Sequence, residues 1–345
     1  MDRMATGCDL WRCQDIEADF ADSAVLLGNG FSININQKFS YEDLFKYADL
    51  SPECRNLFNA ARAGANFEQT LRGLDLAYAM AEPLGVESER FLDAASEIRH
   101  GLIKAVRDRH CEKSEYSDQQ WATIRRHLLA FRRIYTTNYD LLLYWALLNA
   151  GTAQYGFTDM FMKDAHQTLR FDPSMLTDGT GDQDSTLLYL HGSLLLIRDL
   201  FTDEVRKVAS AGQTLLESIS SEWAKEGQAV HFVAEGDENS KVHVIESSKY
   251  LNFCLESFRE DRDPLVVLGQ GLRAPDTHIA QALIAGRDLT NPRVAVGVYP
   301  RDCTALEIAR LRELLGQNAV LFDSTGHPLM DPMLAQPVAP VDSKS

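Results

Sequence analysis

Six continuous apolar runs of strand length constrain this chain more than any other feature: AVLLGNG at 24–30, RRIYTTN at 132–138, STLLYLHG at 185–192, DPLVVLGQG at 263–271, RVAVGVYP at 293–300 and AVLFDS at 319–324. Their hydrophobicity is unbroken rather than alternating, so both faces of each strand must be covered, as in a parallel sheet flanked by helices. Helical signals fill the intervals. Asn66 with Gln69 opens an amphipathic stretch to about Pro83, and Ser117 with Gln120 opens another through Phe131, both at capping-box spacing. Residues 88–110 and 305–315 carry the same periodicity. Alternating strand and helix predicts an α/β, Rossmann-like, doubly wound parallel sheet with right-handed crossovers.

Two intervals, 33–131 and 194–262, are too long for plain connections and read as helical subdomain insertions into one core domain spanning 23–326. Residues 1–22 form an N-terminal segment. The last 19 residues, 327–345, hold four of the eleven prolines and read as a disordered tail.

Charge narrows the function. Acidic residues outnumber basic ones 50 to 34, a net −16, which repels a phosphate backbone and argues against direct nucleic-acid binding. Residues 1–22 carry six acidic residues and two arginines with no apolar run, unlike a secretory leader, and no stretch approaches the ~18 uncharged residues of a membrane span. A soluble, cytoplasmic protein is expected. Cys8, Cys13, Cys54, Cys111, Cys254 and Cys303 are scattered, with no C-x-x-C pair, so neither a zinc module nor a disulfide framework is indicated.

Four strand ends carry polar groups or glycines where open α/β sheets bind ligands. Gly28-Asn29-Gly30-Phe31-Ser32 follows the first run; its glycines allow a tight turn and close approach of backbone N–H groups to a phosphate, yet a plain strand-end turn explains them equally well. The third glycine of a dinucleotide fingerprint and the lysine of a phosphate-binding loop are both missing. Thr136-Thr137-Asn138-Tyr139-Asp140 follows the second run, where Asn138 or Asp140 is equally a helix N-cap. His191-Gly192-Ser193 follows the third; a histidine there titrates near neutral pH and can act as a base, with Gly192 leaving room for a ligand, although a lone histidine is more often structural. Gly269-Gln270-Gly271 follows the fourth, and Asp276 beyond it reads as a helix cap. Glu68 and His278 are polar residues near the walls of such a cleft. None of the nine histidines falls into a ligand cluster by spacing.

In this order, G-N-G-F-S, T-T-N-Y-D, H-G-S and a late G-x-G resemble the SIR2 (sirtuin-related) family of NAD-consuming enzymes, particularly its zinc-free branch in bacterial antiviral systems. The segment at 231–258 is also similar to an uncharacterised SIR2-related bacterial family. The resemblance implies that Gly28, Gly30 and Ser32, with Asn29 and Phe31 between them, cradle the NAD diphosphate, and that Asn138 binds the nicotinamide ribose. It implies that Asp140 lies near the nicotinamide, that His191 is the base, that Thr137 and Gly192 line the cofactor site, and that Gly269, Gln270 and Gly271 contact the adenosine side. The family's serine is missing from that last motif. Also missing are the four-cysteine zinc module and the G-I-P-D-F-R segment of the deacylases, so an acyl-lysine channel is not expected.

The implied activity is hydrolysis of NAD to nicotinamide and ADP-ribose, with Asn138 and His191 catalytic, no metal, and a role as an NAD-depleting effector in antiphage defence. An unregulated enzyme of this kind would kill its host, so control through a separate sensor or activator subunit, plausibly nucleotide-sensing, or through homo-oligomerisation is expected. Two rivals are a non-catalytic NAD or ADP-ribose sensor and an ADP-ribosyltransferase or deacylase.

Overall fold

A computed structural model describes residues 10–36, 44–60, 67–81, 83–149, 156–176, 185–209, 214–233, 238–274, 276–287, 294–331 and 334. In chain order the strands are β1 (Ala24–Leu27), β2 (Arg133–Thr136), β3 (Phe157–Thr158), β4 (Phe161–Lys163), β5 (Leu169–Phe171), β6 (Ser185–Tyr189), β7 (Gly192–Asp199), β8 (Val205–Lys207), β9 (Gln228–Phe232), β10 (Leu265–Leu268), β11 (Val294–Val298) and β12 (Val320–Asp323). Each of the six apolar runs supplies one strand of a parallel sheet ordered β12-β11-β10-β1-β2-β6-β3. The doubly wound α/β architecture is therefore the one the runs dictate: β1, β6 and β10 are buried along their whole length because helices cover both faces.

Strand order locates the crevice. From β1 the chain builds outward through β2, β3 and β6, then crosses back to β10 on the other side of β1 and continues to β11 and β12. The switch point lies between β1 and β10, and their carboxyl ends open onto it.

The 33–131 interval is helical where it is described: Leu44–Tyr47, Pro52–Ala60, Phe67–Ala81, Glu89–Arg109 and Asp118–Leu128. The Ser117 capping box forms, with the Gln120 N–H donating to Ser117 Oγ at 3.2 Å and the Ser117 N–H to Gln120 Oε1 at 2.9 Å. Its helix stops at Leu128, short of the expected Phe131. Asn66 lies outside the described residues, as does the Glu68 side chain.

The 194–262 interval departs from expectation. Instead of a purely helical insertion it holds β7, β8 and β9, which join β4 and β5 in an antiparallel sheet ordered β4-β5-β8-β7-β9, with a helix at Leu215–Trp223 between β8 and β9 and helices at Glu238–Glu246 and Lys249–Glu260 after β9. The cause is local. Residues 185–199 form one nearly unbroken apolar run, but Gly192, at φ +73, redirects the chain and splits it into two strands in different sheets.

The flanks are partly built into the fold. Trp11 bridges to Phe322 beside β12, and Leu329, Met330 and Leu334 are buried, so the C-terminal segment begins inside the core; beyond 331 only Leu334 is described. Among the described residues no helix is long and apolar enough to cross a membrane. Cys13, Cys54, Cys111 and Cys254 carry free thiols, whereas Cys303 is disulfide-bonded, a bond that the scattered cysteine spacing did not indicate. Burial pushes Cys111 and Cys254 up to about 12, which removes both as nucleophiles.

Candidate active site

The two glycine turns interlock at the switch point. The Gly28 N–H donates to Leu268 O and the Gly30 N–H to Gly269 O, both at 2.9 Å. A Cβ on Gly28 would stand 2.5 Å from Gly269 O, one on Gly30 2.7 Å from Gly269 Cα, and one on Gly269, at φ +68, 2.5 Å from the Phe31 nitrogen. Glycine is thus required because one turn's backbone packs on the other's, before any ligand is considered. Phe31 is buried beneath the turn, and the buried Asn29 Oδ1 has no hydrogen-bond partner.

The next strand end ties into this turn. Asn138 Nδ2 donates to Gly28 O and to Ser32 Oγ, both at 2.9 Å, and Ser32 Oγ donates to Asp140 Oδ2 at 2.6 Å. Asp140 Oδ1 accepts the Leu142 N–H at 2.9 Å, so this carboxylate satisfies the first N–H of the helix Leu142–Leu148, whose N-cap position is Leu141, while also fixing Ser32. Asn138 has no capping role. Its Oδ1 has no hydrogen-bond partner among the described residues, which leaves a fixed carbonyl acceptor at the strand end. Ser32, aimed by the resemblance at a phosphate, gives its proton to Asp140 instead.

His110 holds the same loop without any sequence signal. Its Nε2 accepts the Leu141 N–H at 3.1 Å, and its Nδ1 lies 2.7 Å from Cys111 O, so the proton sits on Nδ1. Burial lowers its pKa and keeps the ring neutral.

The histidine side differs. His191, two residues beyond β6, places Nε2 2.9 Å from Nε2 of His278, which lies on the helix Thr277–Gly286. Asp276 precedes that helix but makes no capping bond, contrary to the sequence reading. Its Oδ1 instead accepts from Lys241 Nζ at 2.8 Å, and its Oδ2 lies 3.4 Å from Gln270 Nε2. Gln270 Nε2 is also 3.4 Å from Thr137 Oγ1, a long contact that links the two sides of the rim. The ligand atoms of His191, Asp276 and His278 all lie within 4.8 Å of one another, so fold brings together a cluster that spacing did not reveal.

Burial holds His191 down to about 3, with His278 and Lys241 adding to the effect and Asp276 opposing it. The ring is neutral at pH 7 rather than titrating near neutrality. Burial would raise the Asp276 carboxyl, but His191 and Lys241 leave it below its usual value. Gly192 makes room for β9: a Cβ there would stand 2.3 Å from His231 O.

Beside the glycine turns opens a cleft of about 390 Å³, lined among others by Gly30, Gln270, Gly271, Arg273, Arg301 and Ser324. The Arg301 guanidinium lies 4.9 Å from the Tyr299 ring centre, and the buried Ser324 Oγ has no partner. A second cavity of about 600 Å³, walled by Trp121, Tyr144 and Trp145, holds none of the expected site residues.

Polar side chains gathered at the switch point of a doubly wound sheet define an α/β domain with a candidate ligand site at its strand ends. Within that class the chain belongs to the DUF4917 family, described as a domain of unknown function, which it matches over residues 25–324. No curated protein matches it. A solved structure described as "Structural Basis for the Mechanism and Regulation of Sir2 Enzymes" is similar at 12% identity and a TM-score of 0.38, covering 93% of this chain and 94% of that one.

Gly28, Gly30, Ser32, Thr137, Asn138, Asp140, Gly269 and Gln270 thus share one hydrogen-bonded rim. His191 joins it through His278, Asp276 and Gln270, with no bond to Asn138.

Proposed function

We propose that this protein hydrolyses NAD to nicotinamide and ADP-ribose. The observation that carries the reading is Asn138, locked by two donated hydrogen bonds with its carbonyl oxygen unpartnered, at the strand end where a ribose hydroxyl needs an acceptor. In the reaction the C1′–N bond breaks with its electron pair passing to the cationic nicotinamide nitrogen, so the leaving group departs neutral without a general acid. Water then adds to the oxocarbenium-like C1′ and loses a proton. A neutral His191 that donates through Nε2 to His278 offers Nδ1 as the acceptor for that proton, and Asp276 stabilises the charge. The cleft beside the 269–271 turn has the volume and the arginines for the nucleotide's other half.

A sensor that binds NAD without turnover is favoured by two specific features, the Ser32 hydroxyl already committed to Asp140 and the depressed His191. The resemblance to defence-associated relatives supports a role as an NAD-depleting effector in antiphage defence, gated by a partner subunit or by self-association. Nicotinamide release by the purified chain, alone and with the products of neighbouring genes, tests the reading. His191→Ala and Asn138→Ala should each lower the rate about 10²–10⁴-fold. NAD that binds but is never cleaved, in vitro or in phage-challenged cells, would leave the sensor.

A further inference from the structure

We propose that His191, His278 and Asp276 bind a single first-row divalent transition ion of the zinc or cobalt class. The two imidazoles point Nε2 at Nε2 across 2.9 Å. Metal–nitrogen bonds of about 2.0–2.1 Å put neighbouring nitrogens of one coordination shell roughly 2.9–3.3 Å apart, so the pair is already at chelating distance. The third ligand is ready. Asp276 Oδ1 is held by Lys241 at 2.8 Å, whereas Oδ2 has only the 3.4 Å contact from Gln270 and keeps its lone pairs. Lys241 thus serves as the outer partner that orients a ligating carboxylate.

The donor set selects the ion. Two imidazoles and one carboxylate suit zinc, cobalt, iron or nickel, leave coordination positions open, and suit neither magnesium nor calcium, which prefer oxygen. The histidines are 4% and 5% exposed, so the ion would displace little bulk solvent from them. The ligands come from His191, just past β6, and from Asp276 and His278 at the start of the helix Thr277–Gly286, 85 and more positions away in the chain, which is why no spacing motif announces them.

A consequence rests on the hydrolase reading. An ion on His191 Nε2 places the ring's proton on Nδ1 and removes the acceptor, so metal loading silences hydrolysis and metal loss restores it. Deciding the site itself does not require that reading. The chelator-stripped full chain is titrated with cobalt(II) chloride, and the visible d–d absorption is followed to saturation. One equivalent should bind, and zinc should displace it. His278→Gln and Asp276→Asn, shown folded by circular dichroism, should weaken cobalt binding at least ~10-fold, while His100→Ala, on an exposed helix face, should not. Absence of cobalt absorption from the folded wild-type chain, or equal binding by His278→Gln, overturns the proposal. Should cobalt bind as expected while nicotinamide is released at no metal loading, the ion site stands and the hydrolase reading falls.

Discussion

The two sides of the strand-end rim are built on opposite principles. On the glycine–asparagine side, backbone meets backbone: the 28–30 and 269 turns touch, Asn138 and Ser32 donate into the network, and Asp140 accepts from both Ser32 and the Leu142 N–H. On the histidine side, titratable groups face one another, His278 Nδ1 is buried without a partner, and Asp276 turns away from its helix. Satisfied polar groups stabilise a fold, and unsatisfied ones oppose it. The first side is therefore read as the scaffold that aims Asn138, the second as the place where the molecule keeps its reactive capacity.

The largest break in this comparison should come from Gly269→Ala. A positive φ and a Cβ 2.5 Å from the Phe31 nitrogen leave no low-cost relaxation, and a loss of about 3–5 kcal/mol is expected by urea unfolding. Next comes Asn138→Ala, which removes one of two donors to Gly28 O, leaving the Phe31 N–H at 3.0 Å, and a donor to buried Ser32; about 1–3 kcal/mol should be lost. His278→Gln on the other side should change stability by less than about 1 kcal/mol, because one of its ring nitrogens is unpartnered already. Equal losses for these two variants would erase the contrast between the sides.

Acid supplies a fourth test through a histidine outside the rim. His327 is held down to about 4, mainly by burial, and stacks on Phe131. Its folded pKa lies below its unfolded value of 6.5, so the unfolded chain binds the extra proton, and its contribution to stability is full above that value and lost as pH falls towards 4. His327→Leu should therefore reduce the stability lost between pH 6.5 and about pH 5 by about 1–2 kcal/mol, measured by unfolding at each pH. The smallest effect is Gly73→Ala, in the helix Phe67–Ala81 with nothing near the new Cβ, which should add about 0.5–1 kcal/mol.

Much of the fold was legible because the signals were local. Each apolar run names a buried strand by itself, and Ser117 with Gln120 sets its helix start through neighbours three residues apart. The second sheet was hidden because residues 185–199 look like one run, and only the turn at Gly192 separates β6 from β7. At the site, the ordered motifs placed Asn138, the 28–32 turn and His191 at strand ends, where β1, β2, β6 and β10 do bring them to one edge.

By itself, the sequence determined which segments are buried strands and which residue types crown them, since burial on both faces and turn chemistry act within a few residues. Only the tertiary structure decided that Gly192 packs against β9, that Asp276 abandons its helix for Lys241, and that His191 meets His278. Those outcomes depend on contacts between residues 35 to 87 positions apart. Desolvation and ion pairing at such contacts are fixed by strand order, which no local pattern encodes.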